Sequence, residues 1–288
     1  MKTRSITKII LMAALCVLPL QVNAQGIVVN KTDGSKVYYE AEEVESVGVY
    51  GFYGEESEPV TTFTVNGVSF TMVLVEGGTF QMGSEDSDAD NDEKPVHQVK
   101  VSSFRIGQTE VTQELWEAVM GRNPSACKGS KHPVECVTWN NCQNFITKLN
   151  ELTGKPFRLP TEAEWEFAAR GGNNSKGYKY SGSDNIGAVA WSYENTDKKT
   201  HDVAGKQPNE LGLYDMSGNV QEWCQDWYDS DYYSSSVVTN PTGPTEGSRR
   251  VVRGGQFFGK AEYCRVSSRG SCSPGGGGND IGLRLALY

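Results

Sequence analysis

Two carboxylates in the C-terminal half of the chain have the spacing of a cation site. Asp215 and Glu222 lie seven residues apart and flank a Gly-Asn turn. With the main-chain carbonyls of Gly218 and Val220 they would form an all-oxygen ligand set, which is the kind of set that Ca²⁺ prefers. The pattern therefore predicts a calcium site at Asp215, Gly218, Val220 and Glu222.

A purely structural role explains the same two carboxylates. Asp215 would then cap the turn, and Glu222 would form a buried ion pair with an arginine such as Arg253 or Arg284. The residue types are compatible with both roles, so the two interpretations stay open at this level.

Cysteines provide the second group of reactive side chains. Six of them lie beyond the N-terminal segment, and an even number in an oxidising compartment is typical of disulfides. Six cysteines allow 15 pairings, among which a sequence cannot choose. Packing as small buried apolar side chains is the alternative, and a thiolate metal site is not indicated because there is no Cys-x-x-Cys pair. The six are Cys127, Cys136, Cys142, Cys224, Cys264 and Cys272.

Other catalytic motifs are missing from the sequence. His97, His132 and His201 are far apart and lack metal-ligand spacing. There is no Ser-His-Asp motif, and the glycine run Gly275 to Gly278 lacks the Lys-Ser/Thr that follows the glycines of a phosphate-binding loop. These absences favour recognition over catalysis.

The N terminus has the pattern of a secretory signal peptide. Residues 1–24 join a basic start to the apolar run Ile9 to Leu20 and end at the small residue Ala24. The apolar run is too short to span a membrane. A lipoprotein signal at Cys16 is the second interpretation, because Leu15 is bulkier than expected before a lipidated cysteine. We therefore expect an exported protein in a periplasm, on a surface or secreted.

Charge excludes one class of partner. Removal of residues 1–24, which carry three basic and no acidic side chains, takes the formal net charge from −9 to −12. A surface this acidic argues against nucleic acid or anionic lipid as partner. We expect a protein or glycan ligand instead, and no membrane span.

The elements that would position these residues fall into four segments. Two strand-like runs, Ile27–Asn30 and Lys36–Tyr39, are joined across an Asp-Gly turn, and a third strand could follow at Val47–Tyr53. The length allows one sizeable domain and a small extra module. The expected segments are a signal peptide at 1–24, a small β module at 25–54, a linker at 55–60 and a main domain at 61–288.

Local patterns in the main domain predict an α+β fold. Thr161 followed by Glu164 forms a capping box at the start of a helix. The chain after Arg170 is rich in Gly, Asn, Ser, Asp and Tyr, which indicates long loops between short strands. The expected elements are strands at Phe63–Val65 and Phe70–Val75 and helices at Glu110–Met120, Trp139–Leu152 and Thr161–Arg170.

An ordered set of motifs in the main domain points to a known family. RLPTEAEWE spans Arg158–Glu166, and LYDMSGNVQEW spans Leu213–Trp223. Met82-Gly83-Ser84, Arg253-Gly254-Gly255 and Gly282-Leu283-Arg284 accompany them. This set closely resembles the formylglycine-generating enzymes, also called sulfatase-modifying factors. The resemblance implies a C-type-lectin-like α+β fold with much irregular structure, in which a calcium ion sits at the motif containing Asp215 and Glu222.

The resemblance also allows oxidase activity to be tested against the residues. The enzyme that names the family converts a sulfatase cysteine to formylglycine with copper held by two cysteines five residues apart. Cys264 matches the second of them, but Gly259 occupies the first position. Cu(I) prefers soft thiolate ligands, and Cys272 does not restore the spacing. We therefore expect neither copper binding nor this oxidase activity, and Cys264 is a catalytic candidate only if that activity is retained.

Residues 256–280 are similar to the variable segment of proteins diversified by retroelements. Mutation of template adenines in asparagine codons yields Ser, Gly, Phe, Cys, Tyr, Asp and Ala, and these types crowd the segment. Interleaved residues such as Cys264, Arg265, Val266, Arg269 and Pro274 would be framework. An ordinary glycine-rich loop is the alternative. The candidate ligand-binding residues are Gln256, Phe257, Phe258, Gly259, Lys260, Glu262, Tyr263, Ser267, Ser268, Ser271 and Asp280, with Phe257, Phe258 and Tyr263 as aromatic anchors.

The expected function is therefore non-catalytic binding by an exported protein, through a variable C-terminal face on a sulfatase-modifying-factor-like domain. A formylglycine-generating oxidase is the alternative. A structural component of a surface assembly, contacting its neighbours through residues 25–54, is a third.

Overall fold

A computed structural model describes the backbone of residues 20–23, 26–30 and 36–40, and residues 58–235 and 237–288 in full. The chain divides into two units, Met1–Glu58 and Pro59–Tyr288. Most of the expected signal peptide, the third strand at Val47–Tyr53 and the first part of the linker lie outside the described residues.

Three strands are described in the first unit. They are β1 (Leu20–Asn23), β2 (Gly26–Asn30) and β3 (Lys36–Glu40), and they form an antiparallel sheet in that order. The two strand-like runs of the sequence pair with each other, with Val28 opposite Tyr38. Since β1 lies inside the segment expected to be cleaved, its pairing belongs to the full-length chain.

Ten strands in three sheets are described in the second unit. They are β4 (Val60–Val65), β5 (Val68–Val75), β6 (Gly78–Met82), β7 (His97–Val101), β8 (Phe104–Gly107), β9 (Gln221–Trp227), β10 (Arg250–Arg253), β11 (Arg269–Cys272), β12 (Ile281–Leu283) and β13 (Ala286–Leu287). The sheet orders are β13-β8-β5-β4, β11-β10-β9-β12 and β6-β7, and the pairing of β12 with β9 is parallel. Strand β5 therefore lies between β4 and β8, and β9 lies between β10 and β12.

All three predicted helices are present, with shifted ends. A threonine side chain accepts a main-chain N–H at the start of each, at Thr112, Thr138 and Thr161. Because Thr112 is the N-cap, the first helix begins three residues later than predicted, and Glu110 lies outside it. The helices are α1 (Gln113–Met120), α2 (Trp139–Thr153), α3 (Glu162–Ala169) and a short α4 (Ile186–Val189).

Helix α3 lies in the interior and packs against the central strands. Every one of its residues is buried. Trp165 and Trp223 are fully buried. Trp116 of α1 stacks on Phe145 of α2 with ring centroids 4.8 Å apart. None of the helices in the described ranges combines the length and the apolar character that a bilayer crossing needs.

Candidate ligand-binding cleft

A cleft of about 280 Å³ opens over the exposed side of β10 and β11. Its walls come from three places: the first residue of β9, the ends of β10 and β11, and the loop that follows β10. The lining residues are Gln221, Val252, Arg253, Gly254, Gly255, Gln256, Tyr263, Ser268, Arg269, Gly270 and Ser271.

The Gly254-Gly255 pair turns the chain out of β10 and shapes the cleft floor. Both residues have positive φ, at 94° and 71°, a conformation that favours glycine. A Cβ on Gly255 would lie 2.7 Å from the sulfur of Cys264. Any side chain at Gly255 would therefore displace the buried segment that carries Tyr263.

Arg253 fixes the segment opposite this turn. Its guanidinium is fully buried and bonds the carboxylate of Glu166. It also donates to the carbonyls of Ser267 at 2.9 Å and Ser268 at 2.8 Å. Five donors in a fixed fork make arginine suited to this task, and these bonds connect the backbone behind the cleft to Glu166.

Charge at the floor of the cleft is internally balanced. Arg269 forms a two-pronged bond with Glu162, at 2.7 and 2.9 Å. Burial by itself would lower the pKa of Arg269, but the negative charge of Glu162 outweighs it, so the pKa lies above its ordinary value. With both arginines paired, the cleft offers ligands amide, hydroxyl and aromatic groups.

Four of the predicted ligand-binding residues line the cleft: Gln256, Tyr263, Ser268 and Ser271. Of these, Ser268 lies deep in the wall, since only 5% of it is exposed. Tyr263 is 47% exposed. Three more, Phe258, Lys260 and Glu262, are exposed on the adjoining surface. The carboxylate of Asp280 accepts a 3.5 Å hydrogen bond from the side chain of Gln221, so Asp280 supports the cleft wall.

Contrary to the prediction, three residues of the ligand-binding set do not present side chains to a ligand. Phe257 is only 3% exposed, because its N–H bonds the Asn219 carbonyl and turns the ring inward. Ser267 is buried under Arg253, and Gly259 is buried with its carbonyl bonded by Tyr193 N at 3.0 Å. Buried and exposed side chains alternate along this loop, so Phe257 is buried and Phe258 is exposed. Composition does not reveal this difference.

Sequence reasoning missed two residues at this face. Gln221 lines the cleft from β9, and Tyr193, which is 56% exposed, is tied through its main chain to Gly259. Gln221 could have been recognised from its place in the motif, one residue before the buried Glu222 of a strand with alternating faces. Tyr193 carries no local signal, since it reaches the face from another loop.

Of the five residues predicted to be framework, four are interior, while Pro274 is half-buried. Cys264, Arg265, Val266 and Arg269 are all buried. Arg265 forms two hydrogen bonds of 2.7 Å to the buried carboxylate of Glu93. The segment therefore alternates between side chains that hold the fold and side chains that face outward.

Cys264, the residue that matches a copper ligand, is fully buried. Burial raises the pKa of its thiol to about 12. All six cysteines in the described residues are free, and Cys272 packs against a different hydrophobic cluster from the one that holds Cys264. A buried neutral thiol is a weak nucleophile and a weak metal ligand.

The two carboxylates assigned to calcium are buried beside an arginine. Glu222 accepts hydrogen bonds from Arg284 at 2.6 Å and from the indole of Trp165 at 2.7 Å. Asp215 Oδ2 accepts from Ala204 N at 2.7 Å. No donor in the described part of the chain reaches Asp215 Oδ1. The ion pair of the structural interpretation is therefore present.

A third carboxylate, Glu110, faces the same ion pair and accepts a 3.1 Å hydrogen bond from Val220 N. Burial, together with the charges of Asp215 and Glu222, raises the pKa of Glu110 well above its ordinary value. Burial likewise raises the pKa of Asp215 to about 6. Three buried carboxylates thus face the single charge of Arg284, and burial favours the protonated, neutral forms of Glu110 and Asp215.

The atoms that could coordinate an ion in the motif from Asp215 to Glu222 are oxygens, which are the ligands that calcium requires. Across the described ranges, no group of three or more His, Cys, Asp or Glu side chains is arranged to hold a metal ion. A cation beside Asp215 would therefore depend on main-chain carbonyls such as those of Gly218 and Val220.

Comparison with known proteins gives consistent results. Residues 58–288 match the family described as the sulfatase-modifying factor enzyme 1-like domain. The chaperone protein LppX of Paenibacillus barcinonensis is 35% identical over 76% of this chain and 89% of its own length. The formylglycine-generating enzyme of Streptomyces coelicolor is 32% identical over 74% of this chain and 88% of its own length.

A solved structure, Treponema denticola variable protein 1, is also similar. It is 37% identical, with a TM-score of 0.73, over 79% of this chain and 98% of its own. The serine/threonine-protein kinase pkn1 of Chlamydia pneumoniae is 36% identical over 75% of this chain, which spans only 37% of that protein. The predicted fold and the predicted family are confirmed.

Proposed function

We propose that this chain, which belongs to the sulfatase-modifying factor family, is an exported binding protein that recognises a protein or glycan ligand without catalysis. The cleft lined by Gln256, Tyr263, Ser268 and Ser271 is the binding site. Phe258 and Tyr193 extend it on the adjoining surface.

One observation carries the proposal: the residues that would hold copper are replaced or buried, while their neighbours line an open cleft. Gly259 has no sulfur, and the Cys264 sulfur lies beneath Gly255. Cys264 would have to lose a proton in an apolar site and gain a second thiolate before it could bind Cu(I). Nothing comparable hinders recognition by Tyr263 and Gln256.

The chemistry of the cleft supports a neutral polar ligand. Amides and hydroxyls donate and accept hydrogen bonds, and an exposed tyrosine supplies a rigid apolar face at low entropic cost. The paired arginines leave little free positive charge to attract phosphate. An extended peptide or an uncharged sugar meets these requirements.

Diversification of the segment 256–280 is part of the same proposal. Its support is the crowding of residue types expected from mutated asparagine codons, and the alternation of buried framework with exposed positions. Exposed positions on a well-packed fold tolerate substitution within about 0.5 kcal/mol. A reverse transcriptase gene and a near-copy of this segment beside the gene would support it, and the absence of both would remove it.

We also propose that calcium occupies the motif of Asp215, Gly218, Val220 and Glu222. Asp215 would supply a carboxylate oxygen and Gly218 and Val220 their carbonyls, with Glu222 shared with Arg284. The ion would neutralise the buried carboxylates and stiffen the turn that leads into β9. Its role would be structural.

Export is proposed from residues 1–24, whose pattern is that of a signal peptide. Fractionation of cells that express the full chain, with sequencing of the mature N terminus, tests this. A chain that starts at Gln25 outside the cytoplasm is expected. A full-length cytoplasmic chain would contradict export and leave the binding site untouched.

Binding is tested with a glycan array and a random-peptide display library, both probed with the purified protein. We expect selected ligands whose affinity falls at least about tenfold, or roughly 1.4 kcal/mol, in Gln256→Ala/Tyr263→Ala. Tyr288→Ala removes an exposed aromatic outside the cleft and serves as the matched control. Equal loss in the control would contradict a cleft site.

Cu(I) titration in the presence of a sulfatase-motif peptide tests the alternative. Stoichiometric copper binding with conversion of the peptide cysteine would overturn the non-catalytic proposal and establish the oxidase. We expect neither binding nor turnover.

A further inference from the structure

The loop between α1 and α2 carries two half-buried cysteines, Cys127 and Cys136, and each lies near a residue that adjoins the other. Cys127 N donates to the side chain of Glu135 at 2.7 Å, and Ser125 Oγ accepts from Glu135 N at 3.1 Å. The main chain of Ala126, the residue before Cys127, lies near enough to the Cys136 thiol to influence its pKa.

An imidazole stands beside the first of these thiols. His132 Nδ1 lies 3.8 Å from the Cys127 sulfur and 2.9 Å from Thr200 Oγ1. Its other nitrogen, Nε2, is 3.5 Å from Asp202. The imidazole is therefore placed beside the sulfur that would react, where it can accept the thiol proton as the S–S bond forms.

The two thiols differ in character. Burial, followed by the adjacent carboxylate of Glu135, raises the pKa of Cys136 to about 11. The Cys127 thiol faces a histidine instead. In a stepwise exchange Cys127 is therefore suited to attack first and Cys136 to follow.

We propose that Cys127 and Cys136 are a redox pair that closes a disulfide in an oxidising compartment. The structure represents the reduced form, in which both are free. Neither cysteine lines the cleft, so the proposal stands independently of the binding function.

The oxidant is an external disulfide such as glutathione disulfide. The Cys127 thiolate attacks one of its sulfurs, breaks the S–S bond and releases one glutathione thiolate. The Cys136 thiolate then attacks the Cys127 sulfur of the mixed disulfide and releases the second glutathione. Two protein thiols are oxidised, two electrons pass to the external disulfide, and two glutathione thiols form.

Closure of this pair would act on the C-terminal segment. Cys136 N donates to the carbonyl of Gly278 at 2.9 Å, and Asn140 N to that of Pro274 at 3.3 Å. The end of the loop at Cys136 and the first turn of α2 thus both contact the segment that contains the glycine run. A disulfide restricts the unfolded chain and holds the loop in place, so oxidation would stabilise the support beneath the variable segment.

Cys272 is the competing partner for Cys136. Its sulfur would lie 2.9 Å from a Cβ on Gly276, within the same glycine segment. Because Ala126 lies near the Cys136 thiol, Cys127 is favoured over Cys272 as the disulfide partner of Cys136. The two pairings predict different cross-linked peptides.

Trypsin separates the two proposed partners in the wild-type protein. It cleaves after Arg122, Lys128, Lys131 and Lys148, which leaves Cys127 on residues 123–128 and Cys136 on residues 132–148. After glutathione disulfide treatment and alkylation of free thiols, mass spectrometry should find these two peptides joined. Because Cys142 shares the second peptide, fragmentation between Val137 and Asn141 must place the link on Cys136.

Matched variants complete the test. Cys136→Ser should abolish the cross-link and the rise in thermal midpoint that oxidation produces, whereas Cys272→Ser should retain both. Full alkylation of Cys127 and Cys136 after oxidation of the wild type, or a link from Cys136 to Cys272, would overturn the proposal.

Discussion

Arg284 Nη2 lies 2.6 Å from Glu222 Oε1, and its Nε donates to both oxygens of the same carboxylate, at 3.0 and 2.9 Å. The guanidinium also donates to the carbonyls of Gly107 and Tyr214. Glu222 lies on β9, which follows the candidate calcium motif, and Arg284 lies in the C-terminal segment. The buried pair therefore connects β9 to the C-terminal segment and, through Gly107, to β8.

Loss of Arg284 should be severe because the buried carboxylate of Glu222 would lose its ion-pair partner. We expect Arg284→Met to lower the free energy of unfolding by about 3–5 kcal/mol. Glu222→Gln/Arg284→Met should recover part of that loss, since glutamine still accepts from Trp165. Urea denaturation of the two proteins measures the difference, and an equally unstable double variant would contradict the explanation.

Asp215 gives the metal-free protein a defined pH dependence. Its pKa is about 6 when folded, against 3.8 for an ordinary aspartate. The native state therefore binds more protons than the unfolded state between those values, so stability falls as pH rises from about 4 to 6. Complete loss of this contribution is worth about 3 kcal/mol, at 1.36 kcal/mol per pKa unit.

Asp215→Asn should remove this dependence and stabilise the protein at pH 7 in EGTA. Asparagine can still accept from Ala204 N, and it tolerates the positive φ of 56° at this position. Urea unfolding of both proteins at pH 4.5 and pH 7 isolates the effect as a difference. A variant that is less stable than wild type at pH 7 without calcium would refute it.

Calcium should reverse the order of stability of the wild type and Asp215→Asn. We expect added Ca²⁺ to raise the thermal midpoint of the wild type more than that of Asp215→Asn, since a ligand that binds only the folded state stabilises it. Equal midpoints with calcium and with EGTA in the wild type would argue against the calcium site, while the pH prediction would still stand.

Phe257 and Phe258 form a natural matched pair. Their rings touch edge to face at 4.9 Å, yet Phe257 is buried and Phe258 is 41% exposed. Phe257→Ala should lower the free energy of unfolding by about 3 kcal/mol through the cavity it leaves. Phe258→Ala should change stability by less than about 0.5 kcal/mol but weaken binding of selected ligands. Equal destabilisation by both would contradict the assigned burial.

The glycine run contains a second matched pair. A Cβ on Gly275 meets no atom within 4 Å, whereas one on Gly277 would lie 3.0 Å from the carbonyl oxygen of Val137. Gly275→Ala should therefore be neutral within about 0.5 kcal/mol, and Gly277→Ala should destabilise by about 1 kcal/mol or more. Thermal denaturation compares them directly, and a destabilised Gly275→Ala would show that this position is not open.

Much of this protein is determined locally by its sequence. Threonine caps at Thr112, Thr138 and Thr161 mark the helix starts, and Gly121 and Gly154 end two of the helices in left-handed conformation. These signals depend on side chains within a few residues of the helix end, which is why a sequence reveals them. The motif order likewise identified the family.

Tertiary structure decided which side chains reach the cleft and which charges meet. Composition placed Phe257 and Phe258 in one class, but the hydrogen bond from Phe257 N to Asn219 turned only one ring inward. Arg284 rather than Arg253 became the partner of Glu222, and Tyr193 joined the face from a distant loop. Such contacts join segments far apart along the chain, so they follow from packing of the whole domain and leave no periodic or local pattern to read.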